Sequence, residues 1–544
     1  MKFCLILLLS LIPILYTCAA DNYPKIQHID VTHYAFTLTL SDNTDVLEGI
    51  ARIHVSFRKE GIDSLRLDLV NKSDEWEGKG MDIISIQWTG RALEFNHANN
   101  EVFIALPHPS KADETLVIEV IYRGIPAGGL TIGPNKYNER TFFSDNWPNK
   151  ARHWLPTVDH PYDKATCEFV VMAPFHYQVI SNGLLVEESM VEGGQKLTHW
   201  RQSVPIATWL YVLGVARFAV QYVDTFEGKS IQTWVYHQDR DAGFYDFAVP
   251  TKDAMKFYSQ YVGPYAYEKL ANVQSNSVSG GMEAATAIFY DARAVTGQRT
   301  ERWRNVIIHE VAHQWFGNAV TEYDWDDVWL SEGFATYFTL LFIEYAYGRE
   351  IFVKGLKDSR DRVFAFYKNN PDYRIVHDNL TDMSKVTTTQ TYQKGAWVLH
   401  MLRQMIGDRA FQEGIQNYYR KFFNKNANTL DFIREMELTS GMALENFFQQ
   451  WLYQGGNIEL KGNWKYDSRR NKVVLTLEQV QNIYRFNFPL EIAIYTSDST
   501  SPRVEAIHVY EKRSRFEFDL PKRPERVEFD PGTKLLATWE VVGN

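Results

Sequence analysis

Cysteine, positive charge and long apolar runs are all scarce in this 544-residue chain. There are three cysteines, and two of them, Cys4 and Cys18, fall among the first twenty residues. A chain shortened at Ala20 keeps Cys167 alone, so it can form no internal disulfide and core packing has to supply its stability. Lys and Arg number 57 against 67 Asp and Glu, a formal charge of −10, which argues against nucleic acid as a partner. Beyond the N-terminal leader no segment is long and apolar enough to span a bilayer. No phosphate-binding glycine loop, dinucleotide fingerprint, internal repeat or low-complexity tract stands out.

The one marked apolar run lies at the start. Lys2 precedes Phe3 to Tyr16, and the small residues Thr17-Cys18-Ala19-Ala20 follow before Asp21. That layout predicts a signal peptide over residues 1–20, cleaved near Ala20, and hence export to a periplasm or the extracellular space. Pro13 and the shortness of the run speak against a membrane anchor. Acylation of Cys18 as a lipoprotein is the second reading, weakened by Tyr16 and Thr17 just before it.

The composition, 45% hydrophobic and 23% charged, is that of a globular protein, and the length calls for two to four domains. Over residues 21–235 period-two runs recur, among them Phe36–Leu40, Ala51–Phe57, Leu116–Val120, Cys167–Val171 and Leu210–Val215. They predict an all-β domain, a large sandwich or saddle-shaped sheet. Residues 236–457 change to helical periodicity, starting with Phe244–Val262. From 458 to 544 alternation returns, and six or seven short runs predict a small β-sandwich. The expected fold class is multi-domain α+β.

What the chain does have is concentrated between Ile308 and Gly333. His309 and His313 stand four apart, on one face of a helix, and Glu332 follows His313 by nineteen residues in a second helical run. Two imidazoles so placed, with a carboxylate from the next helix, make a three-ligand zinc site with one open position. Val306, Ile307, Val311, Trp315 and Phe316 give the first helix a buried side, and Gly317-Asn318 stops it. Glu332 sits among Trp329, Leu330, Phe334, Tyr337 and Phe338, where a glutamate is rare unless paired or metal-bound. Glu310, beside His309, is the natural general base for a zinc-activated water.

These motifs resemble the gluzincin zinc aminopeptidases, the family of aminopeptidase N and leukotriene hydrolase, over nearly all of residues 25–540. The H-E-x-x-H pair with Glu332 matches, as does W-L-S-E-G-F-A-T-Y-F from Trp329 to Phe338. Gly280-Gly281-Met282-Glu283 matches the exopeptidase motif, Tyr392-Gln-Lys-Gly395 the downstream tyrosine motif, and Asp159–Thr166 a stretch of the N-terminal β domain. The resemblance implies a thermolysin-like catalytic domain over 236–457 with one zinc ion per chain. It implies that Glu283 binds the α-ammonium of a peptide substrate with a free N-terminus, Gly280 and Gly281 allowing close backbone approach. Tyr392 would donate to the tetrahedral oxyanion, and Thr336 would bond a zinc ligand.

The chain departs from the family pattern in three places. Ala284 replaces the usual Asn after Met-Glu. The N-terminal loop that often brings Gln or Glu to the ammonium site reads Phe143-Ser-Asp-Asn-Trp147, with Asp145 as the candidate second carboxylate. Ser384 stands where leukotriene hydrolase has an acid, which argues against epoxide opening. The large C-terminal helical domain of many members is not expected, so the cleft should be more open. The competing readings are an endopeptidase of the same chemistry and a non-catalytic peptide-binding scaffold.

Overall fold

The computed structural model describes residues 21–376, 380, 382–497 and 501–543. The leader expected over 1–20, with Cys4 and Cys18, lies outside the described residues.

An eight-stranded sheet dominates the N-terminal third. Its centre is Ile29–Thr39, antiparallel to Leu47–Phe57 and parallel to Lys164–Pro174, and Glu114–Ile125 and Gln195–Ala207 flank these three. Alternation explains the buried side: Val31, Phe36 and Leu38 from one strand and Ala51, Ile53 and Val55 from the next are fully buried. Smaller three- and four-stranded sheets complete this all-β region. Cys167 is buried on the central parallel strand, where burial pushes its thiol well above the usual range. One expected run differs: Thr208–Leu210 is a 3-10 turn and the strand begins at Leu213. Every residue from Thr208 to Ala216 is buried, so the apolar run marks burial rather than strand.

The central region packs helices against a five-stranded sheet. Phe218–Phe226 and Lys229–Tyr236 form its outer pair, followed by β1 (Lys269–Ser275), and β2 (Gly281–Met282) lies at the far edge beyond β3 (Ala287–Asp291). The first two strands pair antiparallel with each other, and the parallel pairing of Lys229–Tyr236 with β1 assigns both to this sheet. The helical run expected from Phe244 to Val262 is two helices, Arg240–Phe247 and Thr251–Tyr261, divided at Pro250, which lacks the N–H a continuous helix needs. Helix α1 (Glu301–His313) and helix α2 (Trp329–Tyr347) pack together, and α2 is crossed by α3 (Gly395–Ile406), which a π-helical turn at Gln390–Lys394 introduces. Further helices run to Leu452. Ile458–Gly543 then carries seven strands in a four-stranded and a three-stranded sheet, the expected small β-sandwich. No helix among the described residues is long and apolar enough to cross a membrane.

Candidate metal centre and substrate cavity

Helix α1 exists because Trp303, Ile307, Ile308, Val311 and Ala312 make one buried side. His309 and His313 share the adjoining face at its C-terminal end. Beyond it Gly317 takes φ +103°, and a side chain there would collide with the Ser331 hydroxyl. This reversal lets α2 return beside α1 and place Glu332, in its first turn, opposite both imidazoles.

His309 Nε2 lies 3.1 Å from His313 Nε2, and Glu332 Oε2 lies 3.5 Å and 3.2 Å from these two atoms. A tetrahedron with metal–ligand bonds of about 2.0–2.1 Å has edges of about 3.3 Å. Three N and O donors converging at that spacing fit a zinc ion with one coordination position left open. Electrostatics agree. Although burial works against charge, the two imidazoles hold the Glu332 carboxyl down at about 2, and Glu283, Glu332 and Glu310 drive His313 up to about 10. So much negative charge around two imidazoles suits a dication. The Nδ1 of His313 lies 3.1 Å from the Phe316 carbonyl and 3.1 Å from Ser331 Oγ. An N–H donated to the carbonyl turns the Nε2 lone pair toward the metal position. The hydroxyl in contact with a ligand is thus that of Ser331, one residue before Glu332, rather than the expected Thr336.

A cavity of about 500 Å³ opens over this centre. Its walls bring together Asp145, Met282, Glu283, His309, Glu310, His313, Glu332 and Tyr392. Strand β2 positions Glu310 by leaving room for it: a Cβ on Gly281 would fall inside the Glu310 carboxylate. Gly280 differs, since a Cβ there meets nothing within 4 Å, so space does not demand that glycine. Burial, then the neighbouring Glu283 charge, raises the Glu310 carboxyl well above the ordinary range.

Glu283 is buried, its Oε1 accepts no hydrogen bond, and that oxygen lies 3.8 Å from His313 Nδ1. Burial raises its carboxyl to about 7. Its backbone is clamped: Gln314 Nε2 and Asn318 Nδ2 both donate to the Glu283 carbonyl, at 2.9 and 2.7 Å. Neither clamp was singled out from the sequence. The available signal was two amides, Gln314 and Asn318, standing in the apolar stretch after His313. Ala284 is buried and adds no polar group. Asp145 reaches the same cavity, with Lys150 Nζ 3.8 Å away, and burial raises its carboxyl.

Tyr392 comes from the π-helical turn, and its hydroxyl donates to Glu332 Oε1 at 2.7 Å. Burial and the Glu332 charge push the phenol well above 10, so it stays protonated. In this geometry it is engaged with a metal-site carboxylate. Ser384 is exposed and donates to Asp382 Oδ1 at 2.6 Å, outside the cavity lining.

Residues 31–210 match the peptidase M1 N-terminal domain model, and residues 247–451 match the peptidase family M1 domain model. The chain belongs to peptidase family M1. Among curated M1 relatives, glutamyl aminopeptidase of Rattus norvegicus is 27% identical over 506 residues, which is 88% of this chain and 51% of that protein. The Bos taurus glutamyl aminopeptidase is 30% identical over 328 residues, 58% of this chain and 34% of its own length. The chain spans about a third to a half of the length of these relatives. An M1 zinc metallopeptidase variant from Deinococcus radiodurans, bound to a Tyr-Ser-Ala substrate, superposes with a TM-score of 0.67 at 25% identity. It covers 78% of this chain and 94% of that one. Membership of family M1 implies a zinc cofactor, and the cluster of His309, His313 and Glu332 fits a zinc site.

Proposed function

We propose that this chain is an exported zinc aminopeptidase that hydrolyses the first peptide bond of peptides with a free N-terminus. The observation that carries the exopeptidase half is Glu283. A buried carboxylate with an unpaired oxygen in the cavity wall is costly by itself, and a substrate α-ammonium offsets that cost with a charge-assisted hydrogen bond. An internal residue of a peptide brings no such charge. Asp145, in the same wall, adds a second attraction for it.

When bound to His309, His313 and Glu332, zinc supplies a Lewis acid for the scissile carbonyl and lowers the pKa of water. Glu310 takes the proton of the attacking water and returns it to the leaving amine. The Tyr392 hydroxyl, protonated throughout, turns from Glu332 to donate to the substrate oxyanion. The cavity walls carry Trp147, Met282 and several carboxylates but no Lys or Arg among the described residues. That favours a neutral or basic first residue over an acidic one.

The endopeptidase reading gives Glu283 no partner, and the scaffold reading leaves an intact set of ligands and base without use. We also take the chain as three domains behind the leader. We place the first division near residue 217 in preference to 235, because the strand from Phe218 pairs into the central sheet, and the second near 457. The test is a panel of aminoacyl amides and matched free and N-acetylated peptides. Free substrates should be cleaved, acetylated ones spared, and a chelator should abolish turnover that added Zn2+ restores. Equal cleavage of blocked and free peptides overturns the exopeptidase reading.

A further inference from the structure

Asp21 follows the small-residue run that ends the leader, and it is buried, at 9% exposure. Its backbone nitrogen donates to Asp324 Oδ1 at 2.8 Å. Its own carboxylate lies 2.6 Å from His160 Nε2 and accepts from Tyr23 N, Lys25 Nζ and Trp325 N at 2.9, 2.9 and 3.3 Å. Lys25 Nζ also bonds Asp324 Oδ2 at 2.7 Å. A residue at the start of the N-terminal β region is thereby fastened to the turn Trp325–Asp327, which leads directly into the helix bearing Glu332.

The charges in this pocket do not balance. Among the described residues Lys25 is the one lysine or arginine bonded to Asp21 and Asp324, Asp326 has none, and His160, paired with Asp21 at 2.6 Å, has its pKa lowered by burial. Asp326 is 1% exposed, and neither of its carboxylate oxygens accepts a hydrogen bond. Burial, with Asp324, Asp21 and Asp327 nearby, raises that carboxyl to about 7. A buried carboxylate left in this state is costly unless a cation accompanies it. The Asp21 nitrogen already points at Asp324, and as an amide it brings no charge.

We propose that the Asp324 carboxylate, with the buried Asp326 carboxylate adding its charge, receives the chain's own α-ammonium, created at Asp21 when the leader is cut after Ala20. This rests on the leader reading of residues 1–20. The step is hydrolysis of the Ala20–Asp21 peptide bond, with water as the co-reactant. The Ala20 carbonyl carbon gains the water oxygen and leaves as a carboxylate, and the Asp21 nitrogen collects the protons to become an ammonium. The new charge lands within hydrogen-bond distance of Asp324 without rearrangement. Its effect extends to the catalytic cavity through aromatic packing. The Trp325 ring stands edge-on to Trp147 at 5.1 Å, and Trp147 lines that cavity. Leader removal thus locks the Trp325–Asp327 turn and, through Trp147, one wall of the substrate site.

The experiment compares the exported protein with one carrying Gly-Ser before Asp21, each with Asp324 intact and as Asp324→Asn. The exported protein should begin at Asp21 by intact mass. The extension should lower Tm by about 3 °C or more and raise KM for an aminoacyl amide about threefold. In the Asp324→Asn background the extension should change neither, because the ammonium's partner is gone. Should Asp324→Asn fail to fold, the α-amine of the wild-type protein is acylated with a small reagent at neutral pH. It should react at least about tenfold more slowly when native than when denatured, as expected for a buried ion pair. A mature terminus at another residue overturns this proposal alone, and a chain exported uncut or not exported overturns the leader reading with it. A terminus at Asp21 that reacts at the denatured rate, or an extension without effect, overturns the proposal alone.

Discussion

At the scale of single residues the site depends on who leaves space for whom. Glu310 occupies the volume that any side chain at position 281 would need, so Gly281 is a packing requirement of the base itself. Gly281→Ala should push the carboxylate off its position and lower kcat by roughly 30- to 150-fold, a barrier increase of about 2–3 kcal/mol, while zinc content by metal analysis is unchanged. Glu310→Gln should remove most turnover with zinc likewise retained. Undiminished kcat in either variant sinks the general-base assignment. The convergence of His309, Glu310, His313 and Glu332 was legible in the sequence because H-E-x-x-H and a following glutamate need only helical periodicity to bring them together. Ser331, Gln314 and Asn318 were not legible. A serine or amide gives no periodic signal, and its role depends on which carbonyl or imidazole the fold sets opposite it.

At the scale of elements, two motif glycines share one purpose. A Cβ on Gly333 would approach Gly395 Cα to 3.0 Å, and one on Gly395 would approach Gly333 Cα to 2.9 Å. The helix that carries Glu332 and the turn that carries Tyr392 therefore meet backbone to backbone. That contact brings the Tyr392 hydroxyl within 2.7 Å of Glu332. Gly395→Ala should force the two apart at a cost of about 1–3 kcal/mol. It should depress kcat more than it raises KM, because the oxyanion that Tyr392 serves arises only along the reaction path. A fall in thermal stability with unaltered kcat would separate packing from chemistry and remove Tyr392 from the mechanism. The glycines were visible as parts of the W-L-S-E-G and Y-Q-K-G motifs, but nothing local reveals that they touch across more than sixty residues.

At the scale of the whole molecule, His400 joins the central region to the C-terminal sandwich. Its Nε2 lies 2.8 Å from the Thr533 carbonyl and its Nδ1 3.2 Å from the Tyr337 hydroxyl, an arrangement that suits a neutral ring donating through Nε2 and accepting at Nδ1. Burial lowers its pKa to about 4, against 6.5 for the free side chain. The unfolded chain therefore takes up a proton that the folded chain refuses. Stability should be undiminished above pH 6.5 and fall by up to about 3 kcal/mol as pH drops to 4. Thermal melts across that window should show the loss, and His400→Gln should flatten the slope. An unchanged slope would assign the acid sensitivity elsewhere, the half-buried His153 being a second imidazole lowered to about 4.

By itself the sequence determined the alternation of β and helical regions, the candidate zinc ligands and base, and, through its motifs, the resemblance to the zinc aminopeptidases. All of these are written in local periodicity or short motifs. The tertiary structure alone decided that the strands from Phe218 to Tyr236 join the central sheet. It alone set Asp21 against Asp324 across three hundred residues. Such contacts come from chain closure between distant segments, and they are fixed only once two complete surfaces are in place to bury each other.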